Sequence, residues 1–164
     1  MEKELSIYKK KKFVYIPLNG KVPYIKNWNK VSKSIDIPEG KNVGILTGIP
    51  SNITVVDIDL KDDGMKTWNI LSKLYPPFIT PIVITPNGGL HIYFKFNKNI
   101  PNASRLTINN KQVGWDIMNT GRQVVVPPSR DLINHKKYKW KYDLSYPIID
   151  MPKWLELFIS IHKN

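Results

Sequence analysis

Two aspartates separated by a single residue, Asp57 and Asp59, are the first side chains in this sequence whose types and spacing suggest catalysis. They lie in the run Val-Val-Asp-Ile-Asp-Leu at 55–60, which is typical of a β-strand. Alternation along a strand puts both carboxylates on one face and the apolar residues on the other. Residues two apart lie roughly 6.5 Å from each other, so the two carboxylates could hold divalent cations that bridge phosphate oxygens. A solvated sheet face is the alternative for an isolated pair, so the interpretation depends on partners.

A histidine that follows two glycines is the second such feature. Residues 90–96 alternate apolar side chains with His91, Tyr93 and Lys95, which indicates a strand with one polar face. Gly88 and Gly89 immediately precede it, and glycine allows positive φ and close backbone approach. We therefore predict that their N–H groups face an anion such as a triphosphate. The alternative is a plain hairpin turn with a histidine that has no role in binding.

A third acid, Asp116, lies in a strand pattern whose Trp and Ile neighbours face the opposite way. Arg122 follows it, and the next apolar run ends at Ser129 and Arg130. Cations and a hydroxyl near an acid cluster favour the neutralisation of a triphosphate, although each could also be an ordinary surface residue. Three strands that each hide apolar residues on one side and offer Asp, His or Asp on the other predict a sheet backed by helices on one face. Its open face would be the active site.

The remaining patterns predict the elements that must position these residues. We expect a strand at 13–16 ended by Pro17, a hairpin from 43–47 and 53–60, a helix capped by Asp62 or Asp63, strands at 82–85, 90–96, 115–118, 122–126 and 137–142, and a final helix from about residue 152. Residues 1–12, with four consecutive lysines, are predicted to be a solvated basic arm. The expected organisation is one α+β domain at 13–164 with a mostly antiparallel sheet.

Composition narrows the class of protein. The 164 residues carry a formal net charge of +12, which favours binding to polyanions, nucleic acid first among them; the alternative is that the lysines only increase solubility. The sequence has no cysteine, which excludes disulfides, thiol nucleophiles and cysteine-ligated zinc. No run of apolar residues is long enough for a membrane span, and the Lys-rich start is unlike a signal peptide. We therefore expect an intracellular protein with no membrane partner.

Taken in order along the chain, these motifs resemble the bifunctional primase-polymerase domain of the archaeo-eukaryotic primase superfamily, which is common in plasmid, phage and viral replication proteins. The similarity covers roughly residues 13–130. It is carried by Lys21-Val22-Pro23 with Trp28, the segment 42–48, Asp57-Ile58-Asp59, the segment 88–94, Gly114-Trp115-Asp116-Ile117 and the segment 125–129.

The resemblance implies an RNA-recognition-like (RRM-like) catalytic core with a second small α/β unit. It also implies template-directed nucleotidyl transfer by a DNA primase or polymerase, with two Mg²⁺ or Mn²⁺ ions held by Asp57, Asp59 and Asp116 and with His91 on the phosphates. The implied partners are single-stranded DNA template, primer and nucleoside triphosphates. A replicative helicase is expected in trans or in a C-terminal region beyond this sequence, and no zinc is expected. Gly89 stands where the wider superfamily often has serine, so a phosphate contact there must come from the backbone.

Other classes of function are less consistent with the residues. A non-catalytic replication initiator or single-stranded DNA-binding module that retains the fold remains the main alternative, and the complete set of acids argues against it. A rolling-circle nicking initiator needs paired histidines, whereas His91, His135 and His162 are scattered. A polymerase-β-like nucleotidyltransferase would need a Gly-Ser helix start ahead of the two aspartates, and none is present.

Overall fold

The computed structural model describes all 164 residues, which form three α-helices and eleven β-strands in antiparallel sheets. The helices are α1 (Glu2–Lys10), α2 (Gly64–Leu74) and α3 (Lys153–His162). The strands are β1 (Tyr15–Asn19), β2 (Val22–Pro23), β3 (Asn42–Leu46), β4 (Ile53–Ile58), β5 (Ile82–Ile84), β6 (Leu90–Lys95), β7 (Leu106–Ile108), β8 (Lys111–Val113), β9 (Trp115–Met118), β10 (Gln123–Val126) and β11 (Lys139–Tyr142). The predicted α+β class with mostly antiparallel strands is confirmed. No helix has both the length and the apolar character needed to cross a membrane.

A five-stranded sheet, in the order β11-β5-β6-β4-β9, carries helices on one face. Val56 and Ile58 of β4 are fully buried on that face, in one core with Trp68 of α2 and Leu155 of α3. Burial of each such aliphatic side chain stabilises the fold by about 1.5–3 kcal/mol. The predicted facing of these two β4 residues is confirmed, whereas Leu60 lies beyond the strand end and is exposed.

A four-stranded sheet, in the order β10-β3-β1-β2, packs on part of the opposite face. The second core contains Ile45 and Val124 from this sheet together with Val55 and Tyr93 from the five-stranded sheet. The face predicted to be open is therefore covered along part of its length. The site is therefore a cleft between two sheets. The sequence analysis missed the second sheet because alternation within a strand predicts a polar face but does not show what packs on that face.

The hairpin predicted from 43–47 and 53–60 is wrong. β3 pairs with β1 and β10, whereas β4 pairs with β6 and β9 in the other sheet. Only the isolated bridge between Gly48 and Ile53 joins the two segments, and Gly48 has φ +77°. A glycine turn between two apolar runs is compatible with a hairpin or with a change of sheet, so the local pattern did not decide between them.

The structure of the first twelve residues also differs from the prediction. Residues 2–10 form α1, and Tyr8 is 1% exposed in the core between the sheets, where its hydroxyl donates a hydrogen bond to the Pro127 carbonyl oxygen. The four lysines at 9–12 are exposed, but the segment is not a solvated arm. Tyr8, with the partly buried Leu5 packed against the same core, anchors this helix to the rest of the protein.

Smaller differences concern element ends. β1 continues through Pro17, which was expected to end it, and the β7–β8 hairpin was not predicted. Asp63 occupies the position before α2 with φ +53°, but its side chain makes no capping hydrogen bond. The predicted strands at 82–85, 90–96, 115–118, 122–126 and 137–142 and the final helix are confirmed, with ends shifted by up to two residues.

Candidate active site

Three side chains that could take part in catalysis lie in register across three neighbouring strands. Asp57 of β4 is paired with Asp116 of β9 on one side and with His91 of β6 on the other. Directly opposed residues in an antiparallel pair have Cβ atoms about 4.5–5.5 Å apart, so the three side chains are adjacent on one face. The Nε2 atom of His91 lies 3.5 Å from Oδ1 of Asp57. Asp59 follows just beyond the end of β4 and borders the same cleft as Asp57 and His91, whereas Asp116 is the neighbour of Asp57 across the sheet.

The glycine turn lets β6 approach β4 next to Asp57. A Cβ atom added to Gly89 would overlap the Ile58 carbonyl oxygen, whereas Gly88 has φ +88° and open space around it. Both N–H groups are already used: that of Gly88 donates to the Thr85 carbonyl oxygen at 2.9 Å, and that of Gly89 donates to Thr85 Oγ1 at 3.0 Å. The prediction that these groups are free to face an anion is therefore wrong, and Thr85 was missed because a turn's internal bonds are not visible in its composition.

Asp57, Asp59 and His91 border a cleft with a volume of about 190 Å³ between the two sheets. Its opposite wall contains Val124 and Val125 of β10 and the buried ring of Tyr138. A wider region, called here the cleft mouth, adjoins it. The basic residues of the cleft mouth, which face Asp59 there, are Lys21, Lys61, Arg105 and Lys136.

Arg105 is a residue of the site that the sequence analysis missed. Its Nη1 atom lies 2.7 Å from Asp59 Oδ2 and 3.8 Å from Asp116 Oδ1, and its Nη2 atom lies 3.4 Å from Asp62 Oδ2. The backbone N–H of Arg105 also donates to Asp116 Oδ1 at 2.7 Å. Arg105 precedes β7 with φ +59° in an Asn-rich segment, and nothing in that segment indicates a contact with residues more than forty positions earlier.

Comparison with known families gives a match over residues 8–154 to the bifunctional DNA primase/polymerase, N-terminal domain. The chain belongs to this family. The matched region includes both sheets and every predicted site residue, so the resemblance inferred from the motifs is confirmed. Membership indicates DNA primase or polymerase activity, a nucleotidyl-transfer reaction of DNA replication. A search of curated proteins returned no match.

The electrostatics of this primase/polymerase-family site favour a nearby cation. Burial raises the pKa of Asp57; His91 opposes this rise, and the negative charges of Asp59 and Asp116 add to it. A partly buried carboxylate beside two others is stabilised by any positive charge that approaches it. Burial, assisted by nearby aspartates, also raises the pKa of Tyr138 to about 12, so this phenol stays protonated at neutral pH and remains a hydrogen-bond donor.

The donor set is suitable for Mg²⁺ or Mn²⁺, although its present arrangement is not that of a metal centre. Carboxylate oxygens are the ligands that these hard cations prefer. However, no three His, Asp or Glu side chains converge closely enough to hold an ion. Asp59 is turned towards Arg105, and Asp57 lies beside His91. The residue types fit the metals, and an ion placed between Asp59 and Asp116 would compete with Arg105 for these carboxylates.

Three predicted triphosphate contacts lie away from the cleft. The guanidinium of Arg122 donates to the carbonyl oxygens of Ala103 and Ile117. The Ser129 hydroxyl accepts from the Val43 N–H at 2.8 Å and donates to the Val43 carbonyl oxygen, which fixes the segment after β10 to β3. Arg130 is exposed, and its contacts with Asn42 are made by its backbone. The geometry therefore gives Arg122 and Ser129 structural roles and does not bring Arg130 to the site.

Proposed function

We propose that this chain performs template-directed nucleotidyl transfer, as a DNA primase, a DNA polymerase or both, in the replication of a plasmid, phage or virus. The observation that carries the proposal is the alignment of Asp116, Asp57 and His91 across β9, β4 and β6 beside a cleft, in a chain of the primase/polymerase family. In this proposal the five-stranded sheet with α2 and α3 is the RRM-like catalytic core. The four-stranded sheet belongs to the second unit.

Asp57, Asp59 and Asp116 would hold two Mg²⁺ or Mn²⁺ ions. When bound, such ions activate the attacking hydroxyl oxygen and stabilise the pyrophosphate that leaves. His91 would contact the nucleotide phosphates, because it lines the cleft directly beside Asp57. It is only 5% exposed, so a contact with a phosphate would be shielded from water, which strengthens it.

The basic residues at the cleft mouth support binding of an anionic substrate. Lys21, Lys61 and Lys136 are exposed there, close enough to the acids to face a triphosphate whose reacting end lies at Asp57. The formal net charge of +12 supports sequence-independent contacts with the phosphates of a single-stranded template and a primer.

A primer-extension gel with labelled nucleotides tests the proposal. The parental protein is incubated with single-stranded template, with and without a primer, in Mg²⁺ and in Mn²⁺. We expect incorporation by the parental protein and none by Asp57→Asn, because that change removes a charged ligand while preserving the shape of the side chain. Asp36→Asn is the matched control, since Asp36 is exposed and lies away from the cleft.

Two results would contradict the proposal. Extension by Asp57→Asn at close to the parental rate would remove the acids from catalysis. Binding of single-stranded DNA by the parental protein without incorporation under any of these conditions would favour the non-catalytic binding module instead.

A further inference from the structure

The acidic cluster of the site consists of Asp57, Asp59, Asp62 and Asp116. Arg105 contacts more of these carboxylates than any other cation of the chain does. Its guanidinium forms ion pairs with Asp59, Asp62 and Asp116, and two of these three are proposed metal ligands. The side chain is 24% exposed, so these pairs are only partly screened by solvent. An ion that approaches these carboxylates therefore meets the positive charge of Arg105.

A divalent ion that bridges Asp59 and Asp116 would compete with the guanidinium of Arg105 for the same space. Arg105 Nη1 lies 2.7 Å from Asp59 Oδ2 and 3.8 Å from Asp116 Oδ1, so it occupies the position between these two oxygens. Mg²⁺ binds carboxylate oxygens at about 2.0–2.1 Å and needs near-octahedral space around it. An ion bound to both oxygens would therefore displace the guanidinium from Asp59.

The backbone of Arg105 can stay in place while the side chain moves. Its N–H donates to Asp116 Oδ1 and its carbonyl oxygen accepts a hydrogen bond from Asn164. The side chain already borders the cleft mouth, beside Lys21 and Lys136. A guanidinium released from Asp59 would thus have a nucleotide phosphate within its range, and guanidinium binds phosphate well.

We propose that Arg105 is a resident counter-cation of the acidic cluster, that a divalent ion must displace it from Asp59, and that the displaced side chain then binds the phosphates of the nucleotide. This inference rests on the proposed function. It makes Arg105 a positioning residue in the metal-free protein and a substrate contact in the loaded one. Metal affinity should consequently be weak without nucleotide and stronger with it.

Chemical modification of the parental protein tests the displacement directly. The sequence has three arginines, Arg105, Arg122 and Arg130, so phenylglyoxal followed by peptide mass spectrometry reports each of them separately. Saturating Mn²⁺ without nucleotide should raise the modification rate of Arg105 several-fold. Arg122, held by backbone carbonyl groups, and Arg130, which is exposed, should react at unchanged rates. An unchanged or slower reaction of Arg105 with Mn²⁺ bound would overturn the inference.

Mn²⁺ titration followed by electron paramagnetic resonance supplies the second measurement. Arg105→Gln should bind Mn²⁺ about tenfold more tightly than the parental protein, equivalent to about 1.4 kcal/mol, and should bind nucleotide more weakly. A merely structural role predicts the reverse for the metal, because Asp59 and Asp116 would lose their positions. Arg130→Gln is the matched control. If Arg105→Gln does not fold, Arg105→Lys replaces it in the titration, because lysine keeps the positive charge but lacks the planar, two-pronged guanidinium.

The outcomes separate this inference from the proposed function. If neither the parental protein nor either Arg105 variant binds Mn²⁺, the metal assignment fails and the inference fails with it. If Mn²⁺ binds the parental protein but Arg105 reactivity and Arg105→Gln affinity are unchanged, only the inference is wrong. Tighter binding by the variant together with Mn²⁺-dependent reactivity supports both.

Discussion

Replacement of Tyr8 by alanine tests whether α1 belongs to the folded core. Tyr8 is 1% exposed, its ring centroid lies 6.4 Å from that of Phe13, and its hydroxyl donates to the Pro127 carbonyl oxygen. Truncation of a buried aromatic side chain to alanine costs about 3–5 kcal/mol, since it leaves a cavity as well as removing apolar contact. Tyr8→Phe keeps the ring and leaves one buried carbonyl oxygen unpaired, which costs about 1–3 kcal/mol.

Urea unfolding followed by tryptophan fluorescence measures these differences. Both variants should unfold at lower urea with an unchanged slope, Tyr8→Ala more so than Tyr8→Phe. In a chain of this size 1 kcal/mol lowers Tm by about 2–4 °C, so the alanine variant should melt about 6–20 °C below the parental protein. Lys10→Ala, at an exposed position of the same helix, is the control and should change little. Parental midpoints for both Tyr8 variants would refute the reasoning and restore residues 1–12 as a solvated arm.

Further predictions concern the turn, the histidine, the surface and the core. Gly89→Ser introduces the residue common in the wider superfamily, but its Cβ meets the Ile58 carbonyl oxygen, so urea unfolding should show a loss of about 1–3 kcal/mol; parental stability would contradict this. His91→Ala should weaken nucleotide binding about 10- to 150-fold in a fluorescence titration while single-stranded DNA affinity stays parental, and a change within about twofold would remove His91 from the site. Affinity for single-stranded DNA should fall steeply between about 50 and 200 mM salt, and a flat titration would exclude phosphate contacts as its source. Burial raises the pKa of Tyr8, so the neutral phenol is favoured in the folded state; the free energy of unfolding should fall as pH rises above about 10, and a pH series should show a smaller fall in Tyr8→Phe.

The strands that carry the acids and the histidine could be predicted because their pattern is local. Period-two alternation around Asp57, His91 and Asp116 defines a strand and a polar face in each case. Their register across the sheet is not local, and a shift of one residue would have turned Asp116 towards the helices. The order of motifs along the chain and their family resemblance supplied the expectation that they meet, and the pairing in the sheet agrees with it.

The residues that sequence reasoning missed or misplaced act through tertiary contacts. Arg105 reaches Asp59 across 46 positions of sequence, and Ser129 reaches Val43 across 86. Neither contact can be detected from the composition or the periodicity of the sequence. The same holds for Tyr8 and Pro127, which are 119 positions apart. A basic or polar residue in a loop can serve as a substrate contact, a structural bond or a surface charge, and only the fold distinguishes these roles.

The site lies where the four-stranded sheet stops covering one face of β4. Val55 is fully buried between the sheets, the side chain of Asp57 on the same face is 23% exposed, and that of Asp59 is 45% exposed. Charge interactions strengthen as water is excluded, so Asp57 should hold a cation more firmly than Asp59, whose carboxylate is open to the cleft mouth. In line with this gradient, Asp57 lies next to the buried His91, while Asp59 pairs with a guanidinium that borders solvent. Between Val55 and Asp59 the chain leaves the packed core and provides one sheltered and one accessible carboxylate. This arrangement suits the proposed binding of an ion that is retained while a charged substrate enters and leaves.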